Sequence, residues 1–250
     1  MISKLYISEI IMKKSDEADN SAYPFSLPAV KNLEKLKLSG SITFFVGENG
    51  TGKSTLLEAI AVNYGFNPEG GSKNFSFSTM STHSELHKYI TLAKGATRPK
   101  DGYFLRAESF YNVATEIEKL DSAPSFSSLI KNSYGGKSLH EQSHGESFWS
   151  VVINRFSGSG LYLMDEPEAA LSPFRQMALL ARIRELEKLN SQFIIATHSP
   201  ILLAYPNAQI YVLTDDKIIL TPYKETEHYM ITKQFLNNPE GMLKHLLEEV

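Results

Sequence analysis

The run GENGTGKST at residues 47–55 fits the pattern G-x-x-x-x-G-K-[ST] at every fixed position. Glycines at 47, 50 and 52 let the backbone turn its N–H groups inward, so that Gly47, Glu48, Asn49, Gly50, Thr51 and Gly52 form a cradle for phosphate oxygens. A helix opening at the end of this loop adds the positive end of its dipole. Lys53 then reaches the β- and γ-phosphates of a nucleoside triphosphate, the Ser54 hydroxyl ligates Mg2+, and Thr55 touches the α-phosphate. The competing interpretation is a glycine turn with a surface lysine. It is disfavoured by the apolar run SITFFV before the loop and the helical spacing of STLLEAIAVNY after it.

LYLMDEPEAALSP (161–173) sets Asp165 and Glu166 just beyond an apolar, strand-like run, and strand ends are where ligands sit in α/β sheets. Asp165 would hold Mg2+ through water. Glu166, beside the γ-phosphate, would orient or deprotonate the attacking water, because a metal ion screens one carboxylate and leaves the other as a base. The plainer alternative is an acidic turn capping the next helix. IIATHSP (194–200) ends another apolar run in His198, which could hydrogen-bond a γ-phosphate oxygen. A lone histidine at a strand end is more often structural; the order of the three motifs favours the chemical role.

The elements that must position these groups follow from the pattern of apolar residues. Residues 2–12 have strand-like composition, and 13–40, with Pro24 and Pro28, are expected to be loop and edge structure. Strands are predicted at 41–46, 161–165 and 192–197, and helices at 54–64, 109–120, 146–156 and 175–189. HKYITLAK and YFLRAES are expected to pair as a hairpin, as are the two halves of QIYVLTDDKIILTPY around Asp215-Asp216-Lys217. Residues 121–144 are rich in Ser and Gly, and the last 25 residues are predicted helical with a break near Pro239. Strands alternating with helices argue for an α/β sheet. The expected organisation is one domain over 1–250, with a small inserted lobe within 66–145 and a C-terminal helical segment at 225–250.

Composition narrows the classes. With 250 residues, 42% of them hydrophobic and 21% charged, the chain can bury a large core and is not expected to be disordered. It has no cysteine, which excludes disulfides, Cys-zinc sites, iron–sulfur clusters and thiol catalysis. A net charge of −3 gives no global push toward nucleic acid or anionic membrane, although a local basic patch for nucleic acid stays open. No apolar run reaches the ~18 residues of a membrane span, and no signal peptide is read at the N-terminus. The cytoplasm is the expected location.

GENGTGKSTLLEAIA and DEPEAALSP…IATHSP together resemble the heads of ABC-type ATPases, and the RecF- and SMC-like AAA group more than transporter subunits. The resemblance covers roughly residues 40–65 and 140–200. It implies a P-loop NTPase fold with a mixed sheet core flanked by helices, an N-terminal antiparallel β region and a small helical lobe. It implies ATP and Mg2+, and hydrolysis served by Lys53, Glu166 and His198. It also calls for a signature loop ahead of a helix, and SHGES at 143–147 stands there, with His144 in place of a glycine. In the family this loop contacts the γ-phosphate held by the partner subunit. Ser143 and Gly145 at a helix N-terminus suit an anion, so the resemblance implies a head-to-tail dimer enclosing two ATPs.

Two departures from the family pattern stand out. FLRAESF lacks the glutamine that usually follows its strand, leaving Glu108 as the candidate for the metal-side role beside Ser54 and Asp165. Ala170, Leu171 and Ser172 replace the usual aspartate-bearing loop.

Competing readings are few. HEQSH (140–144) fits H-E-x-x-H, so a helix there would let His140 and His144 bind zinc with Glu141 as base and Glu168 as a third ligand. Gly145 and Gly135-Gly136 make such a helix doubtful. His83 and His87 share a similar spacing and read as a solvated face. Among ATPases, the alternative is the nucleotide-binding subunit of an ABC transporter. Long heptad arms are absent, which leaves a stand-alone ATPase driving an unidentified, repair- or defence-like protein partner. Tyr23 and Phe25 are candidates to stack on adenine, or else packing residues.

Overall fold

A computed structural model of the chain describes residues 5–13, 22–73, 84–122 and 128–248. Among these residues nine strands occur: β1 (Ile7–Met12), β2 (Lys35–Lys37), β3 (Ile42–Val46), β4 (Ile90–Lys94), β5 (Asp101–Arg106), β6 (Gly160–Asp165), β7 (Gln192–Ala196), β8 (Gln209–Leu213) and β9 (Ile218–Leu220). The helices are α1 (Pro28–Lys31), α2 (Lys53–Tyr64), α3 (Leu86–Tyr89), α4 (Phe110–Ser122), α5 (His144–Ser150), α6 (Pro173–Lys188), α7 (Pro200–Leu203), α8 (Glu227–Asn237) and α9 (Pro239–Glu248).

β3, β6 and β7 are buried at every position. Such continuous apolar runs suit strands covered on both faces. They lie at the centre of a six-stranded sheet of order β5-β6-β7-β3-β8-β9, parallel except for β9. On one face α2 is sandwiched between this sheet and a small antiparallel sheet, β2-β1-β4; Leu56, Leu57 and Ile60 pack with Phe45, Leu163 and Ile194 below and Ile7, Ile10 and Ile90 above. On the other face Phe110, Ile117, Phe148, Leu179 and Ile183 cover Phe44, Tyr162, Phe193 and Ile195. The expected α/β fold with an N-terminal antiparallel region is therefore the one adopted.

Local expectations fared unevenly. The β8–β9 hairpin forms, with Tyr211 opposite Leu220, and the C-terminal helical run breaks at Asn238 before Pro239. The hairpin expected between HKYITLAK and YFLRAES does not form. β4 pairs with β1, whereas β5 pairs in parallel with β6. Burial decides the split: β5 buries Gly102 through Leu105 and needs cover on both faces, while β4 buries only Ile90 and Leu92 and suits a sheet with one wet face. The helix expected over 146–156 begins at His144 and ends in a π-helical turn at Val151–Arg155.

That turn is tied to the start of β5. Asp101 accepts hydrogen bonds from Arg155 Nη1 and Tyr162 Oη, both at 2.7 Å, and from Ser157 N at 3.1 Å. Burial opposes its ionisation, but the Tyr162 hydroxyl and the Arg155 charge outweigh burial and hold the carboxyl below its ordinary 3.8. Asp101→Ala leaves the guanidinium without its partner and is expected to lower unfolding free energy by about 3 kcal/mol, measured by denaturant unfolding at pH 7. A carboxyl with a depressed folded pKa contributes fully above about pH 5 and loses its contribution as pH falls through the folded value. The wild-type and variant stabilities should therefore converge in strong acid; curves that stay parallel would place the effect elsewhere.

Candidate active site

Parallel register aligns Phe45, Ala196, Asp165 and Arg106 in one row across β3, β7, β6 and β5. The chain leaves the sheet just past this row at Gly47, His198, Glu166 and Glu108, so four separate motifs meet at the carboxyl edge.

The loop before α2 is shaped by its glycines. A Cβ on Gly47 would lie 2.3 Å from the Leu213 carbonyl of β8, and Gly52 adopts φ 96° with Leu27 and Ala29 each 3.2 Å from where its Cβ would be. Thr51 Oγ1 donates to the Glu48 carbonyl at 2.9 Å, and the Thr51 carbonyl accepts from Ala29 N at 2.9 Å. The turn is thus fixed by the chain itself. Lys53 Nζ folds back to donate to the Gly47 and Glu48 carbonyls, both at 2.8 Å, and the residue is only 4% exposed. Burial lowers its pKa against the opposing pull of Glu166, Asp165 and Glu168.

Ser54 Oγ donates to Asp165 Oδ1 at 2.9 Å. Burial, reinforced by Glu166 and Glu108, outweighs Arg106 and Ser54 and pushes the Asp165 carboxyl up to about 6. Arg106 is the local anchor. Its Nη1 meets Glu58 Oε2 at 2.7 Å and the Pro68 carbonyl at 3.0 Å, Nη2 lies 3.5 Å from Glu108 Oε2, and Nε lies 3.5 Å from Asp165 Oδ2 with no hydrogen bond of its own. Glu108 itself is exposed at the rim. An open cleft of about 310 Å³ is lined by Ser54, Glu108, His144, Asp165 and Glu166 among others. A hydroxyl beside a buried carboxylate is a hard-oxygen pair of the kind Mg2+ takes with water and phosphate oxygens. Among the described residues no three His, Cys, Asp or Glu side chains gather as a protein-only metal site.

Glu166 has left-handed backbone angles, φ 47° and ψ 54°, and its N–H donates to the Ala196 carbonyl at 2.9 Å. This turn sets Glu166 Oε1 3.5 Å from His198 Nε2. The His198 backbone N–H donates to Glu168 Oε1 at 2.5 Å, and its Nδ1 lies 3.3 Å from His228 Nε2. His198 Nε2 is buried with no hydrogen-bond partner. Burial, then the Lys53 charge, lowers the His198 pKa despite Glu166.

The family model described as ABC transporter matches residues 32–169, more than half of the chain, spanning the phosphate loop and the turn after β6. The chain is an ABC-type ATPase. Members of this family bind ATP, generally with Mg2+, and hydrolyse it. A second model, an AAA-domain family whose description names the AbiEii toxin and type IV TA systems, matches residues 147–204. Similar proteins include an ABC transporter ATP-binding protein of Geobacter sulfurreducens, 24% identical over 83% of this chain and 77% of that one. Another, from Haemophilus influenzae, is described as an uncharacterized ABC transporter ATP-binding protein and is 24% identical over 87% of both chains. The solved structure of cbiO1 from Clostridium perfringens, described as part of the ABC transporter complex cbiONQ, covers 97% of this chain and 99% of its own at 19% identity and a TM-score of 0.52.

In this ATPase the candidate signature loop, SHGES at 143–147, opens α5. Ser143 is its N-cap and shares a capping box with Glu146: Ser143 N and Oγ donate to Glu146 Oε2 at 3.0 and 2.6 Å, and Glu146 N donates to Ser143 Oγ at 3.4 Å. A Cβ on Gly145 would come within 2.8 Å of the Ala170 carbonyl, so glycine lets the loop approach the turn at Pro167–Ala170. Of the candidate signature residues His144 reaches the cleft, with its ring against Phe110, whereas Ser143 and Gly145 are not among the lining residues. Ser172, in the loop where the family has its aspartate, caps α6 instead.

The H-E-x-x-H alternative is corrected. His140 lies in a 3-10 turn, Leu139–Glu141, and His144 in α5, with Gln142 and Ser143 extended between them. The two rings turn to different partners, Tyr111 and Phe110, and Glu168 is taken by the His198 backbone. His83 lies outside the described residues; His87 Nδ1 is 3.0 Å from the Ser84 carbonyl. Phe25 packs edge-on against Tyr89 at 4.8 Å, while Tyr23 is 63% exposed.

The motifs gave no role to Arg106, Glu58 or His228, and they offered Glu168 only as a zinc ligand, not as the acceptor of the His198 backbone N–H. Arg106 had one available signal, since parallel pairing of β5 with β6 places it opposite Asp165. His228, thirty residues beyond His198, had none.

Proposed function

We propose that this ATPase hydrolyses ATP between two copies arranged head to tail and transmits the movement to a separate protein. The observation carrying the catalytic half is the convergence of Lys53, the Ser54–Asp165 pair, Glu166 and the unpartnered Nε2 of His198 at one sheet edge. On this reading the backbone of Gly47 through Gly52 cradles the phosphates, with Thr55 beside them, and Lys53 exchanges its two carbonyls for β- and γ-phosphate oxygens. Ser54 and Asp165, with Glu108 from the rim, would hold Mg2+, which screens the phosphate charge when bound. Glu166 accepts a proton from the attacking water, whose oxygen bonds the γ-phosphorus as the β–γ bridging bond breaks, giving ADP and inorganic phosphate. His198 donates from Nε2 to a γ-phosphate oxygen. Tyr23, which is exposed, is the better candidate to stack on the base, since Phe25 is occupied by Tyr89.

The dimer reading is supported by Ser143 and Gly145 not being among the residues that line the cleft of their own chain. Each would complete the site of the second copy, once Ser143 Oγ is released from Glu146. Ser143→Arg is expected to bind ATP normally yet lose both dimerisation and hydrolysis. Mixing it with Lys53→Ala should restore part of the activity, because one of the two sites in that heterodimer carries neither defect. Turnover per chain that stays constant far below the concentration of any detectable dimer would sink the composite site.

For the partner we favour a repair- or defence-like protein, with the ATPase in the cytoplasm; the AAA-domain match over residues 147–204, whose description names a toxin–antitoxin system, supports the defence side of that reading. A transporter subunit is the second reading, favoured by relatives described as transporter ATP-binding proteins along most of their length. Among the described residues no helix is long and apolar enough to cross a membrane. Capture with ATP-trapped protein decides between the two: an integral membrane protein supports the second, and DNA ends or a nuclease support the first.

A further inference from the structure

We propose that His228 is a positioning residue for His198: its Nε2–H donates to His198 Nδ1 and so keeps the His198 proton on Nε2, facing Glu166 and the γ-phosphate. The inference rests on the proposed role of His198 and deepens it. The two rings meet through His198 Nδ1 and His228 Nε2 at 3.3 Å. A neutral imidazole carries one donor and one acceptor, so only two arrangements make this bond. If His198 donated, its own Nε2 would be a bare lone pair, buried, 3.5 Å from the Glu166 Oε1 lone pairs. Two acceptors would then face each other, with the imidazole nitrogen cut off from water, which is unfavourable. If His228 donates, His198 Nε2 carries an N–H beside the carboxylate, and that N–H is available to a phosphate oxygen. The geometry selects the second arrangement.

The surroundings keep both rings in place and uncharged. Burial is the main cause lowering both histidines, and the Lys53 ammonium adds to it; Glu166 opposes this at His198, and Glu227 and Glu48 oppose it at His228. With both rings neutral, the choice between them is one of tautomer. His228 sits in the first turn of α8, two residues after the cap Thr226. Thr226 is buried, accepts from Tyr229 N at 3.3 Å and donates to the Tyr223 carbonyl at 2.7 Å. Tyr223 Oη in turn donates to the Pro200 carbonyl at 2.9 Å, two residues beyond His198. The start of α8 is thereby moored to the segment that carries His198, and the ring reaches it from outside every motif of the phosphate site.

The test uses full-length protein with ¹⁵N-labelled histidine. In the wild type at pH 8, the His198 ring should show its proton on Nε2 and a bare Nδ1. His228→Leu removes the donor; it should lower kcat about tenfold or more with KM for ATP little changed, and should spread His198 over both tautomers. His228→Gln presents an amide N–H near the original Nε2 and should recover most of the turnover. A wild-type proton on Nδ1, or a folded His228→Leu with normal kcat and an unchanged His198 spectrum, overturns the proposal. If His228→Leu does not fold, the wild-type spectrum alone decides. His198→Ala separates the two levels. Normal turnover in that variant refutes the role of His198 itself, whereas an inactive His198→Ala beside a fully active His228→Leu refutes only the positioning role.

Discussion

Lys53→Ala is expected to reduce ATP turnover to the background of the preparation and to weaken nucleotide binding strongly. The ammonium is the cation closest to where the β- and γ-phosphates would lie, and it is already withdrawn from water onto the Gly47 and Glu48 carbonyls. A charge held in such a site acts on a phosphate with little screening by solvent. The same burial separates loss of chemistry from loss of folding. A lysine whose folded pKa is depressed carries an unfavourable charge that is fully felt below the folded value, fades as pH rises through it, and is gone above the unfolded value of 10.5. Removing Lys53 should therefore leave the nucleotide-free protein at least as resistant to heat at pH 7. Phosphate release, calorimetric ATP binding and a melting curve measure the three quantities. An unchanged ATPase rate in a clean preparation would mean that this loop is not the active site.

Glu166→Gln should part binding from hydrolysis. Glutamine keeps the size of the side chain and can still meet His198, and the backbone hydrogen bond to Ala196 does not depend on the side chain. What disappears is the ability to take a proton from water. ATP should bind as before, while turnover falls by at least ~10²-fold, the lower range for a lost general base. The stalled protein should accumulate as an ATP-bound dimer in size-exclusion chromatography. Should the variant turn over normally, the proton acceptor lies elsewhere, and Glu108 on the rim of the same cleft is the next carboxylate to replace.

What the residues disclosed in advance depended on how local the requirement was. The phosphate loop was legible because the backbone twist at Gly47 and Gly52 and the charge at Lys53 are needed within a few positions of each other. Asp165, Glu166 and His198 were legible because each follows an unbroken apolar run, and such runs become central parallel strands. The fate of β4 and β5 was hidden, because nothing in ITLAK or DGYFLR names a partner; the choice depends on how many faces the rest of the chain covers. The roles of Arg106 and Glu168 were hidden for a related reason. Each acts across strands or loops rather than along the sequence, one on Asp165 and Glu58, the other on the His198 backbone. The H-E-x-x-H spacing misled in the opposite direction. Its period was right for a helix, but the capping box at Ser143 starts a new helix between the two histidines.

The backbone at Glu166 bears on how this chain would respond to selection. A non-glycine residue at φ 47°, ψ 54° sits about 1–2 kcal/mol above its relaxed conformation, whereas glycine takes up that geometry readily. The side chain placed to run the chemistry thus occupies a position where the peptide itself favours having no side chain. A mutant library of this protein sorted only for heat resistance should enrich glycine at 166 and discard turnover in the same step. Sorting for activity should keep the strained glutamate and accept a lower melting point.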